Sequence, residues 1–275
     1  MKPRAFDYLR PGSVAEAVEA LSLHGEAAQI LAGGQSLVAM LNFRLLAPTV
    51  LVDIGHMAEL DDIRVSDGAL EIGAAVTQNR LMAYPDLARE LPLLAQALPW
   101  VGHFQTRNRG TVCGSIAHAD PSAEIPLALA MLDGEVVLRS ARGTRRVKAA
   151  AFQQGMLATA RAADELIVAV RFPIRAADRR SAFREVARRH GDFAIAAVAA
   201  VVEADGAVRV GIGGVADRPA VRRIEPRGGT VAAAIDAWAW ELGGYEDMHA
   251  SPRYRRDLVR RLGPMVIEEA LSCAA

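Results

Sequence analysis

The chain has 275 residues, 52% of them apolar and 5% aromatic, so it can build more than one packed core, largely from alanine and valine. Lys plus Arg and Asp plus Glu each number 32, and this zero formal charge argues against nucleic acid as the main partner. Two cysteines, Cys113 and Cys273, are too few for an iron–sulfur cluster, a structural zinc site or a disulfide framework.

The opening MKPRAFDYLRPGS has no apolar signal core and no run reaches bilayer length, so we expect a soluble, cytoplasmic chain without a membrane span. Ser13 and Glu16 form a capping box that opens an amphipathic helix closed by Gly25. AAQILAG reads as a short buried strand, QSLVAMLNFRLL as a helix, and TVLVDI as a second strand that Pro48 allows to begin at once. These make a βαβ-like unit over residues 1–56. GALEIGAAVT reads as a strand, Thr77 caps QNRLMAY, and LPLLAQALPWV is helical. GHFQTRNRGTVCGSIAHADPSAE is a polar, glycine-containing segment, with Asp120–Pro121 as cap and first-turn proline of a helix SAEIPLALAML. GEVVLRSARGTRRVKA predicts a hairpin around 141–143, and the strand DELIVAVRFP closes a second unit, 57–176.

The linker IRAADRR leads into a third unit, 177–275. It holds strands AFREVARR, FAIAAVAAVVEA and AVRVGIGGVA, a turn at Asp205–Gly206, and helices TVAAAIDAWAWEL and SPRYRRDLVRRLGPMVIEEAL. The fold class is therefore α/β followed by α+β. The basic runs Arg179–Arg180, Arg188–Arg189 and Arg253–Arg256 are flanked by acids and read as solvated faces.

Gly33 and Gly34 stand adjacent between strand and helix. No third glycine completes a Rossmann fingerprint, and no Lys–Ser/Thr pair follows to make a nucleoside-triphosphate loop. Asp53 stands where a ribose-binding acid would sit, or simply caps its strand. A bare backbone lets consecutive N–H groups converge, Ser36 adds a hydroxyl, and a helix start favours an anion; a structural turn has the same signature. Gly110, Thr111, Gly114 and Ser115 supply a second bend of small residues, so two bends could grip a diphosphate from both sides. His118, Asp120 and Glu124 have poor metal spacing, and His24, His56, His103, His190 and His249 suggest no ligand set.

LAGGQSLVAMLNFRL, RNRGTVCGSIAHADPSAEIP, RRHGDFAIAAVA and DMHASPRYRRDLVRRL occur in this order across nearly the whole chain. Together they resemble the FAD-binding (medium) subunit of molybdenum hydroxylases, the group of carbon monoxide dehydrogenase, xanthine dehydrogenase and N-heterocycle hydroxylases. The resemblance implies a FAD-binding fold of the PCMH/vanillyl-alcohol-oxidase type, two α/β subdomains followed by an antiparallel sheet with helices. It implies that Ala32, Gly33, Gly34, Gln35 and Ser36, flanked by Leu31 and Leu37, form the first diphosphate loop. Thr111, Gly114 and Ser115 form the second, with His118 and Asp120 in the same segment and Glu124 on the adenosine side. Phe193 stands at the isoalloxazine face, where relatives often carry Tyr. Cys113 and Gln35 depart from the glycine and histidine common in the family.

The resemblance further implies FAD as cofactor, with no catalytic residue and no metal on this chain. The partners would be a molybdenum-cofactor large subunit and a [2Fe–2S] small subunit, in a dimer of heterotrimers, with electrons leaving to an external acceptor. The rival readings are a self-contained FAD-dependent NAD(P)H oxidoreductase and a non-enzymatic nucleotide-binding subunit. A valine in place of Gly34 is expected to enter the space of the phosphate oxygens.

Overall fold

The computed structural model describes residues 1–175, 180–225 and 231–273. Residues 176–179 of the expected linker, the boundary expected at 176/177, and Thr230 at the expected helix start lie outside the described residues.

The first sheet is small and parallel. Strand β1 (Asp7–Leu9) is followed by helix α1 (Val14–His24), in which Ser13 accepts from Glu16 N at 3.2 Å and Gly25, at φ 51°, ends the helix. The helix turns Ala17, Val18 and Leu21 inward. Strand β2 (Ala28–Leu31), helix α2 (Leu37–Asn42) and strand β3 (Val50–Asp53) form the expected crossover, with β3 parallel to β1 on one side and to β2 on the other. The reading of the sequence assigned no strand to β1, which is three residues long and gains its order from β3.

The second sheet is antiparallel throughout. Strands β4 (Ile63–Ser66) and β5 (Ala69–Gly73) are joined at Asp67–Gly68, both in the left-handed region, as a two-residue hairpin needs. Helices α3 (Gln78–Met82), α4 (Leu87–Glu90), α5 (Pro92–Ala97), α6 (Phe104–Arg109), α7 (Val112–His118) and α8 (Glu124–Met131) follow. Strands β6 (Glu135–Ser140) and β7 (Gly143–Lys148) form the expected hairpin. A short helix α9 (Ala149–Phe152) and the two-stranded ribbon β8 (Gln153–Gly155) and β9 (Ala158–Thr159) lead to β10 (Leu166–Pro173), central in the order β4-β5-β10-β6-β7.

The polar segment 102–124, to which the sequence assigned no helix, holds α6 and α7, the latter capped by Thr111, whose hydroxyl accepts from Gly114 N at 3.0 Å. Asp120 does not cap α8, which starts at Glu124 with Ala123 at the cap. The Asp120 carboxylate instead accepts from Ser122 N at 2.8 Å and shapes the turn through Pro121 that precedes the helix.

The third sheet runs β11 (Ser181–Val186), β12 (Ala196–Val202), β13 (Val208–Gly213) and β14 (Ala220–Ile224), antiparallel in that order. Alternate residues of its strands face two different cores. Ala196, Val198, Ala200 and Val210 pack under helices α10 (Val231–Leu242) and α11 (Pro252–Ser272). Phe183, Ala197, Ala199 and Val201 join the main core with α5 and α8. A strand covered on both faces reads as an unbroken Ala/Val run, as β12 does. Arg255, expected on a solvated face, is only 1% exposed. It donates to Ile195 O at 2.7 Å and Gly214 O at 2.6 Å and pairs with Asp247 at 2.7 Å, fastening α11 to the sheet end nearest the bends.

Candidate functional site

The two glycine-containing bends meet. A Cβ on Gly33 would lie 2.1 Å from Arg109 O and 2.7 Å from Gly110 Cα, so the backbones are in contact and only glycine fits. The second bend is held by main-chain bonds: Gln78 N to Gly110 O at 2.8 Å and Val112 N to Val76 O at 3.1 Å. Arg107 steadies its approach by donating to Val101 O and Gly102 O at 2.9 and 2.8 Å. The third sheet is tied in through Gly214 N to Pro121 O at 2.8 Å.

Over this junction opens a cavity of about 910 Å³. Ala32, Gly33, Gly34, Gln35, Ser36 and Leu37 form its first wall; Thr111, Gly114, Ser115, His118, Asp120 and Glu124 form the second; Phe193 stands at the third. Leu31 is the one expected site residue outside the lining. It ends β2, and its Cδ1 reaches toward Gly34.

The bends differ in what they offer. Ser36 occupies the cap of α2 without a capping hydrogen bond, and Gln35 Nε2 turns back to Gly33 O at 3.2 Å. The first-turn amides of α2 thus lack a side-chain acceptor, as an anion site requires. In α7 the Gly114 amide is already taken by Thr111, so Gly114 provides closeness: a Cβ there would sit 2.8 Å from that hydroxyl. Gly34 has φ +72°, and a Cβ on it would face Leu31 and Val38 at 3.2 Å. A valine at 34 therefore acts by straining the backbone, not by filling phosphate space as expected from the sequence.

Asp53 is spent locally, accepting from Gly55 N at 2.9 Å and from the Tyr8 hydroxyl, which is the capping alternative and not the ribose one. The Cys113 thiol is 2% exposed and points to Ile72 O at 3.6 Å, beneath α7; burial pushes its pKa far above the usual thiol range. Cys113 itself lines the cavity, with its thiol turned to Ile72 O. Phe193 is 61% exposed, an aromatic face open to a planar ligand. Glu124 is 5% exposed, and burial first, then the Asp120 charge, pushes its carboxyl up to about 7.

Three arginines line the cavity: Arg161, which was not singled out in the sequence, and Arg188 and Arg189, which were expected on a solvated face. Arg161 Nη1 is anchored on Glu165 O at 2.8 Å, and Arg189 pairs with Asp192 at 3.2 Å. They concentrate positive charge where a neutral chain would receive a diphosphate. The adjacency of Arg188–Arg189 to HGDF was the available signal. A second concavity of about 940 Å³, between α1 and the second sheet, is rimmed by Glu19, Glu59, Asp62 and Glu71 against Arg64 and Arg139. That acidic rim does not suit an anion.

A cavity near the upper end of the usual range for small-molecule sites, about 300–1,000 Å³, with a glycine junction at its floor and an exposed aromatic at its side, is sized and shaped for a dinucleotide. It defines the class: a dinucleotide-binding protein built without a Rossmann crossover. Residues 4–175 match the family described as the FAD binding domain in molybdopterin dehydrogenase, and the chain belongs to that family. It is 36% identical to the 6-hydroxypseudooxynicotine dehydrogenase complex subunit alpha of Paenarthrobacter nicotinovorans, over 98% of this chain and 96% of that one. Among solved structures it is similar to quinoline 2-oxidoreductase from Pseudomonas putida 86, with a TM-score of 0.91, 36% identity and 98% of each chain covered. It is likewise similar to carbon monoxide dehydrogenase from Hydrogenophaga pseudoflava, with a TM-score of 0.92, 32% identity and 100% of each chain covered.

Proposed function

We propose that this chain is the FAD-carrying subunit of a multi-subunit molybdenum hydroxylase, taking electrons from the [2Fe–2S] clusters of a small subunit and delivering them to an external acceptor. The observation that carries this is the backbone contact of Gly33 with Arg109 and Gly110 beneath the cavity, which leaves two bends facing one diphosphate-sized space. The amides around Gly33, Gly34, Gln35 and Ser36 hold phosphate oxygens on one side, and Thr111 and Ser115 on the other. Arg188 and Arg189 balance the charge, Phe193 covers one face of the ring, and Glu124 fixes a polar edge of the ligand. When bound, FAD supplies a centre that takes electrons singly and releases them singly or in pairs.

The substrate-oxidising centre lies on a large subunit with the molybdenum cofactor. Among the described residues no group of His, Cys, Asp and Glu could hold a metal, and both cysteines are free. The relatives are named as subunits or medium chains of dehydrogenases and of a hydroxylase, which supports a component and not a self-contained NAD(P)H enzyme. The assembly is a dimer of heterotrimers in the cytoplasm; among the described residues no helix is long and apolar enough to cross a membrane. The division at 1–56, 57–176 and 177–275 belongs to the same reading, supported by major sheets confined to residues 7–53, 63–173 and 181–224.

The test is to purify the chain alone and with its large and small subunits. Near-equimolar flavin absorbance, with substrate oxidation only in the assembled complex, is the expected result. NAD(P)H turnover by the isolated chain would replace this reading with the self-contained enzyme. A chain that cannot be loaded with FAD would end both.

A further inference from the structure

Glu185 lies on β11, and both of its carboxyl oxygens are buried without a hydrogen-bond partner. The residue is 7% exposed. It shares the inward face with Phe183, while its neighbour Arg184 points to the other face and pairs with Glu269 on α11 at 2.7 Å. The element that brings an acid toward it is α8, whose first residue, Glu124, is itself buried and lines the flavin cavity. The Glu124 charge acts directly on Glu185.

The other surroundings do little to neutralise the pair. From α5 the neutral Gln96 donates to Ser181 O at 3.1 Å, at the start of β11, and the residue opposite Glu185 on β12 is Ala197. Asp120 adds negative charge beside Glu124, and Arg107 opposes it more weakly. Burial first, then Glu124, pushes Glu185 up to about 8, while burial pushes Glu124 up to about 7. Two acids so placed are both partly protonated near neutral pH.

We propose that Glu124, in the wall of the FAD cavity, and Glu185 behind it form a proton-binding pair, and that entry of the diphosphate-bearing cofactor draws a proton onto it from solvent. This rests on the FAD reading above. The negative charge of the ligand favours the protonated pair, so Glu124 meets the cofactor as a neutral acid able to donate its O–H, while Glu185 holds the second proton behind it. One O–H bond forms and the buffer supplies the proton. By linkage, FAD affinity falls as pH rises through the range where the empty pair is losing protons, by up to about tenfold per pH unit for one proton.

His118 and His249 line the same cavity, so the experiment must separate them from the carboxyls. FAD is titrated into the flavin-free full chain by calorimetry at pH 7.5, in two buffers of different ionisation enthalpy, which counts protons taken up. The wild type is expected to take up about half to one proton. Glu185→Gln is expected to bind FAD with smaller uptake, and H118Q and H249Q to retain it. FAD binding by the wild type without proton uptake overturns the pair and leaves the FAD reading intact; failure of the wild type to bind FAD sinks that reading instead. Uptake unchanged in Glu185→Gln also overturns it. Should the variant not fold, infrared spectra of the wild type decide: a protonated carboxylic acid band at neutral pH is expected, and its absence refutes the pair.

Discussion

Replacing Gly33 by alanine isolates the contact on which the cavity depends. The new methyl would sit 2.1 Å from Arg109 O and 2.7 Å from Arg109 C and Gly110 Cα, well over an ångström inside van der Waals contact with the carbonyl oxygen. All three atoms are backbone, so no rotamer change relieves the clash, and the bends must part. Overpacking of this kind costs about 1–3 kcal/mol. If parting the bends also spoils the grip on the diphosphate, the same cost appears as a loss of about 5- to 150-fold in FAD affinity. Flavin fluorescence quenching gives the dissociation constant, and circular dichroism checks that the fold survives. Gly34→Ala is the comparison: its Cβ faces Leu31 and Val38, and its φ of +72° costs about 1–2 kcal/mol, paid mainly in stability. G33A with native melting temperature and native FAD affinity would refute the claim that the two backbones form the floor of the site.

Phe193→Ala should leave thermal stability nearly unchanged, because the ring is 61% exposed, yet weaken FAD binding by about 1–3 kcal/mol in the same fluorescence titration. Arg255→Leu should lose about 3–5 kcal/mol in urea unfolding, since it strands Asp247 and the carbonyls of Ile195 and Gly214. Glu185 has a raised folded pKa, so its contribution is greatest below the unfolded value near 4.5 and is lost as pH rises through about 8. Glu185→Gln should therefore gain stability relative to the wild type increasingly from pH 5 to pH 9, read from the urea midpoint. Iodoacetamide should modify Cys273 in the native chain and reach Cys113 only on unfolding, as peptide mass analysis would reveal.

What was legible in the sequence was what local periodicity decides. The β2-α2-β3 crossover, the hairpin at 141–143 and the first three strands of the third sheet each carry an apolar run or a turn signal. Strands β1, β4 and β14 do not: DYL, IRVS and AVRRI are short and largely solvent-facing, and each lies at a sheet edge. Helices α6 and α7 were hidden for a related reason. FQTRNR and VCGSIAH are single turns or little more, bracketed by glycine, and their order comes from Gln78 N, Val76 O and the Thr111 cap. Of the 14 site residues transferred by motif, every one but Leu31 lines a single cavity, because the motifs are contiguous stretches of backbone. The arginines did not transfer: Arg188 and Arg255 stand in similar basic runs, and only tertiary neighbours send one to the cavity rim and the other into the core.

That contrast explains how this fold holds a dinucleotide without a Rossmann unit. A Rossmann site concentrates its glycines in one βα turn and relies on a single helix N-terminus. Here α2 has six residues and α7 seven, and the amide at the start of α7 is already satisfied by Thr111. Neither helix alone offers much dipole or many free donors. What replaces them is convergence: Gly33 lets two backbones touch, so donors from bends more than seventy residues apart in sequence meet one ligand. The dependence shifts from a local motif to the packing that brings β2 against the segment before α7. Substitutions that loosen that packing, even ones away from every polar contact, should therefore lower FAD affinity before they unfold the chain.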